Sequence, residues 1–182
     1  MQPCRALAVS AAVLLAWLAS TAGTIAAPLP EVPEWLRVPA GQGLAIDLRG
    51  VGVQIYVCAA GKDDAGKFEW TLKAPEAELF DDSGKKVGKH YAGPTWEGDD
   101  GSKVVGELKA RDDGPDPNAI PWLLLSAKAI SGSGMLGKTT SIQRLQTIGG
   151  KAPADGCSQA AQVGREIRVP YQARYAFYTL KQ

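Results

Sequence analysis

Ile167-Arg168-Val169-Pro170-Tyr171-Gln172-Ala173-Arg174-Tyr175-Ala176-Phe177-Tyr178-Thr179 decides the fold. Ile167, Val169, Tyr171, Ala173, Tyr175, Phe177 and Thr179 share one parity, while Arg168, Gln172 and Arg174 take the other. Successive side chains of a strand point to opposite faces, so this spacing builds one apolar face as a strand and none as a helix. Pro170 withholds one backbone donor from the ladder, which predicts an edge position or a bulge there.

Upstream, the same signal recurs in shorter runs. Val51 to Cys58 is apolar and β-branched, and Phe68, Trp70 and Leu72 alternate with Glu69, Thr71 and Lys73. Ala77 to Phe80, Lys86 to Tyr91, Thr95 to Glu97 and Lys103 to Leu108 read as further strands, and Pro121 favours a strand over a helical turn for Trp122 to Leu125. Between them lie turn clusters: Gly61 to Gly66, Asp81-Asp82-Ser83-Gly84, and Gly98-Asp99-Asp100-Gly101 with its hairpin-forming Asp-Gly step. Many short strands at close spacing predict an all-β chain, a single-domain antiparallel β-sandwich or small β-barrel with one disulfide.

That disulfide follows from cysteine arithmetic and compartment. Arg5, the apolar run Ala6 to Ala19 and the small residues up to Ala26 have the pattern of an export signal, too short to span a bilayer. Residues 1–26 are therefore expected to be a signal peptide, residues 27–43 an extended Pro-rich segment (Pro28, Pro30, Pro33, Pro39), and residues 44–182 one β domain. Removing 26 of the 182 residues leaves 156, ample for a single core. Cys58 and Cys157 remain, and an even pair in an oxidising compartment is expected to be bridged. The implied location is secreted, periplasmic or cell-envelope.

Charge narrows the partners. The full chain carries 20 Lys and Arg against 19 Asp and Glu, and loss of Arg5 with the signal leaves the rest neutral. A neutral chain with no basic cluster argues against nucleic acid or an anionic membrane as partner. No later stretch is apolar for long enough to cross a bilayer.

Six runs are family-like. They are Gly52-Val53-Gln54-Ile55-Tyr56-Val57-Cys58, Trp70 with Ala74-Pro75-Glu76-Ala77, Gly88-Lys89-His90-Tyr91-Ala92-Gly93-Pro94-Thr95-Trp96-Glu97, Asp100-Gly101-Ser102 with Val104, Ile120-Pro121-Trp122-Leu123-Leu124, and Ile142-Gln143-Arg144 through Gly149-Gly150. Together they resemble the secreted bacterial and fungal domain-of-unknown-function family 3455, across nearly all of the exported chain. The resemblance brings no activity with it. Some fungal members carry a malate dehydrogenase label, but no G-x-G-x-x-G is expected after a strand and 156 residues leave no room for two α/β domains.

Gly88 to Gly101 is the strongest candidate site. It holds the single histidine, His90, together with Tyr91, Trp96, Glu97, Asp99 and Asp100. An aromatic beside hydrogen-bonding groups suits a polar ligand, carbohydrate or peptide, with Trp96 as a surface platform. The competing reading makes His90 and Tyr91 a strand end and Trp96 a core plug. Trp70 and Trp122 read as core, and Trp35 as a lid or an exposed residue.

Other chemistries are less well supplied. Ser83 and Ser102 lie outside any G-x-S-x-G, and Glu76, Glu97 and Asp99 pair as glycosidase carboxylates only at the right separation. One histidine and two bridged cysteines are a poor set for zinc or copper. Calcium has candidates in Asp81 and Asp82 and in Asp112, Asp113, Asp116 and Asn118, without EF-hand spacing. No cofactor is called for. The first expectation is a non-catalytic binding module for an unidentified polar ligand or extracellular partner. The alternatives are a hydrolase-type extracellular enzyme using His90 with Glu97 or Asp99, and a structural cell-envelope or matrix protein.

Overall fold

A computed structural model describes residues 28–64 and 66–181. The expected signal peptide lies outside the described residues. Eight antiparallel strands follow one another around a closed barrel: β1 Gln42–Ala60, β2 Phe68–Phe80, β3 Lys86–Tyr91, β4 Thr95–Gly98, β5 Lys103–Asp112, β6 Trp122–Ser131, β7 Ser141–Gly149 and β8 Glu166–Leu180. The all-β expectation holds, and of its two architectures the barrel is the one formed. Closure rests on β1, which pairs with β2 along one edge and with β8 along the other. Pro170 sits where β8 outruns β7: the last paired residue of β7, Gly149, stands opposite Tyr171.

Alternation sorts each strand into a wall and a filling. Leu48, Leu79, Trp96, Val104, Ile142, Tyr175 and Phe177 form the interior cluster. Its centre is aromatic, with the Trp96 ring edge-on to Tyr175 and Phe177 at centroid distances of 5.5 and 6.0 Å. Such pairs add about 0.5–1.5 kcal/mol each beyond the area they bury. Two glycines make room for these rings. A Cβ at Gly50 would stand 2.5 Å from the Tyr175 ring, and one at Gly106 would stand 2.9 Å from the Trp96 indole.

The two ends of the barrel differ. At one end the β6–β7 connection, residues 132–140, folds inward and buries Leu136 in the core. Asp100 Oδ2 accepts the Met135 amide at 2.6 Å, and Ser102 Oγ accepts the Leu136 amide at 3.1 Å. Asp100→Ala is therefore expected to free this plug, speeding amide exchange at Met135 and Leu136 by roughly tenfold while the strands stay protected. Unchanged exchange at those two amides would show that the plug holds without Asp100. Against the expectation of no G-x-G-x-x-G after a strand, Gly132-Ser133-Gly134-Met135-Leu136-Gly137 carries that spacing directly after β6. The strand β7 follows it instead of a helix, so the context for that motif is missing.

A second cluster lies on the outside. Leu36, in a 3₁₀ turn at Glu34–Leu36, packs with Trp122, Leu124 and Leu145, and Leu29, Val32 and Val38 join them. The Pro-rich segment thus straps across the outer faces of β6 and β7, and Gln143 Nε2 donates to the Leu36 carbonyl at 2.6 Å. Trp122 is buried as expected, but in this outer cluster, while Trp35 is 59% exposed. Among the described residues no helix is long and apolar enough to cross a membrane.

Candidate functional site

The open end of the barrel holds a cavity of about 890 Å³. It is bounded by the β3–β4, β5–β6 and β7–β8 connections, through Ala92 to Pro94, Ala119 to Pro121, and Lys151 with Ala152. Its wall is largely apolar, with Leu123 and Leu125 inside and Leu72 and Leu108 at the mouth, where they stay 51% and 55% exposed. Trp70 is not the core residue its parity predicts. It lies half-buried at this mouth, with Nε1 donating to the Asp155 carbonyl at 2.8 Å. The Cys58–Cys157 disulfide, Cα atoms 5.5 Å apart, ties the same β7–β8 connection to the end of β1.

Polar groups line the interior from several strands. Gln54 and Tyr56 come from β1, His90 from β3 and Arg144 from β7. The Tyr56 hydroxyl donates to the Gly150 carbonyl at 2.7 Å, and the hydroxyls of Tyr171 and Tyr175 meet at 3.0 Å. Arg144 stands opposite Tyr175 in the β7–β8 register and gives both Nε and Nη2 to the Pro121 carbonyl, at 3.0 and 2.8 Å. Burial pushes its basicity down, offset in part by the nearby hydroxyls of Tyr175, Tyr171 and Tyr56. Gln54 is 1% exposed and its Nε2 donor has no hydrogen-bond partner. A buried, unmade donor is costly, about 1–3 kcal/mol, so its presence beside a cavity asks for an acceptor.

Period two divides the six residues singled out in the sequence. His90 and Trp96 face each other across β3 and β4 and point inward, stacked at 4.4 Å with ring planes 12° apart. Trp96 is 1% exposed, so the platform expected at a surface is a core plug, and its Nε1 is unpartnered. His90, 2% exposed, donates Nδ1–H to the Thr95 carbonyl at 2.8 Å. Burial pushes its imidazole down to about 3, the carbonyl bond opposing this weakly, so it stays neutral with Nε2 as acceptor.

The others lie elsewhere. Tyr91 and Glu97 share the outer face, where the Tyr91 hydroxyl donates to Glu97 at 2.6 Å and Lys103 and Lys89 approach the same carboxylate at 3.1 and 3.5 Å. The Tyr91 hydroxyl, then Lys103, pull the Glu97 carboxyl down to about 2. Asp99 sits at the hairpin tip with its amide on the Val87 carbonyl, and Asp100 clamps the plug at the far end. No single ligand face contains all six.

A family model described as "Protein of unknown function (DUF3455)" matches residues 39–179. The chain belongs to that family. The matched span takes in the barrel from β1 almost to the end of β8, and leaves out most of the strap. No curated protein and no solved structure matches the chain. Five of the runs that signal membership of the DUF3455 family converge on the cavity, bringing Gln54 and Tyr56, Trp70 with Pro75, His90, Ile120 with Leu123, and Arg144.

Of the acidic clusters only Asp113 reaches this cavity, where it pairs with Arg111. Asp81 Oδ1 accepts the Ser83 and Lys85 amides, Asp112 the Gly114 amide and Asp116 the Asn118 amide, each closing its own turn. Among the described residues no group of three His, Cys, Asp or Glu is placed to hold a metal ion. Ser102 is fully buried against Asp100, and Glu76 pairs with Arg168 at 2.8 Å.

Proposed function

We propose that this protein is an exported, non-catalytic binding module that takes a small ligand with polar groups into the open end of its barrel. The observation that carries this reading is the unpartnered Gln54 amide on the cavity wall. Eight strands enclose a space that side chains fill or that one small ligand occupies, and here one half is filled and the other open. The volume lies in the range of small-molecule sites, and an apolar wall with a few convergent polar groups is their usual composition. Outward positions carry ion pairs, Lys86 with Glu78 and Arg168 with Glu76 among them, where a lipid-facing wall would be apolar.

Acid–base catalysis by His90 with Glu97 is poorly supported. Cross-strand pairing puts Lys89 opposite Glu97 and His90 opposite Trp96, so the imidazole and the carboxylate lie on opposite faces of the wall. The stacked His90–Trp96 pair favours an architectural part for these two residues, as the floor beneath the cavity. The test is an amide shift map with N-phenylnaphthylamine, a neutral apolar amine. Gln54, Leu72, Gly93, Ile120 and Ala152 should shift together, while Met135 to Lys138 at the plugged end stay still. Shifts scattered over the outer wall, or none at millimolar probe, would sink the reading.

A further inference from the structure

Four basic side chains and one carboxylate line the cavity: Lys73, Arg111, Arg144 and Lys151 against Asp113. Three of the four are already engaged near the rim. Lys73 pairs with Glu166, Arg111 pairs with Asp113, and Lys151 donates to the Pro117 carbonyl. Arg144 differs in kind. It projects into the barrel from the middle of β7, and the ionisable groups around it are tyrosine hydroxyls, that of Tyr175 the nearest, and the neutral imidazole of His90, with no carboxylate among them. A guanidinium has five N–H donors, of which the Pro121 carbonyl takes two.

Resting on the binding reading above, we propose that the ligand is an organic anion: an apolar body carrying one carboxylate or sulfonate-type oxyanion that docks on Arg144. Two observations converge on this class. The first is a cation held in a low-dielectric wall without a counter-charge, an arrangement that is costly until an anion arrives. The second is the Gln54 Nε2 donor, buried, unpartnered and lining the same cavity. A planar oxyanion meets the remaining guanidinium donors in a bidentate fork and offers further lone pairs to the amide. The tyrosines are kept protonated by burial and supply hydroxyls instead of competing negative charge. The body of the ligand would lie along Leu123, Leu125, Ile120 and Pro94. A neutral sugar would satisfy Gln54 and leave Arg144 uncompensated.

The test compares a matched pair of fluorescent probes on the oxidised protein: anilinonaphthalene sulfonate, an anion, and N-phenylnaphthylamine, the same ring system without the sulfonate. One-site binding of both with mutual displacement is expected, the anion tighter by about tenfold or more, as a charge-assisted hydrogen bond implies. Arg144→Gln should abolish the preference, leaving the two probes within about threefold of each other, and Arg144→Lys should retain part of it. Gln54→Leu, which spares the Pro121 contact, should narrow the preference for the anion and serves if Arg144→Gln does not fold. Equal or tighter binding of the neutral probe would overturn the anion assignment and leave the binding reading standing. A preference that survives Arg144→Gln and Gln54→Leu would also overturn it, placing the attraction on the rim lysines. Binding of neither probe at a single site would take down the binding reading beneath it.

Discussion

Replacing Cys58 and Cys157 together by alanine is expected to lower the unfolding free energy by as much as about 4.7 kcal/mol. That is the chain-entropy value for a closed loop of about 100 residues. The sequence separation here is 99. The loss arises mostly in the unfolded chain, which regains the freedom the bridge denies it. A domain of this size is stable by about 5–15 kcal/mol, so the effect is a large share of the whole. A local consequence follows as well. Gly164 donates to the Cys58 carbonyl and Cys58 to the Arg165 carbonyl, so the bridge reinforces a short ladder holding the β7–β8 connection over the cavity. Urea unfolding of the oxidised protein and the double variant measures the first effect. Exchange at Lys151 and Ala152 measures the second. A drop below about 1 kcal/mol would mean that the unfolded chain is already compact without the bridge.

The second large effect is acid lability centred on His90. Its folded value, about 3, lies below the 6.5 of a free imidazole, because burial disfavours the charged ring. The unfolded chain therefore binds a proton that the folded chain refuses. Stability from the neutral, buried ring is complete above about pH 6.5 and falls as the pH drops towards 3, by up to about 1.4 kcal/mol per pH unit. Glu97 acts in the same direction over a lower window. Its folded value near 2, set by the Tyr91 hydroxyl and Lys103, is depressed, so its contribution is present above about 4.5 and is lost below that. The two separate between pH 6.5 and 5, where carboxylates hardly titrate. His90→Phe keeps a ring against Trp96 and removes the proton site, so its stability should be flat in that interval while the parent declines. A His90 resonance titrating near 6.5, with parent and variant equally flat, would contradict the buried, neutral imidazole.

The strands were legible because their signal is local. Lys86 to Tyr91 reads as β3 from end to end, and the parity of Ile167 to Thr179 reads through most of β8. Barrel and sandwich were not separable, because closure depends on the first half of β1. Gln42 to Gly50 mixes Asp47, Arg49 and two glycines with its apolar residues, and it becomes a strand by pairing with β8, more than a hundred residues away. The same non-local pairing hid the cavity. Gln54 and Arg144 stand within apolar-looking runs, and only the registers of β1, β7 and β8 bring them to one interior. In Gly88 to Gly101 both strand runs carry the parity, and grouping the six candidate residues into one ligand face disregards it. Alternation sends His90 and Trp96 inward, Tyr91 and Glu97 outward, and leaves Asp99 and Asp100 to the turn.

The most direct test is a crystal structure of the protein with anilinonaphthalene sulfonate bound. The rings are expected inside the open end, against Leu123 and Leu125, with the sulfonate within hydrogen-bond distance of the Arg144 guanidinium and the Gln54 amide. A probe resting on the outer wall or at the end closed by Leu136, with Arg144 bonded only to groups of the protein, would contradict that expectation.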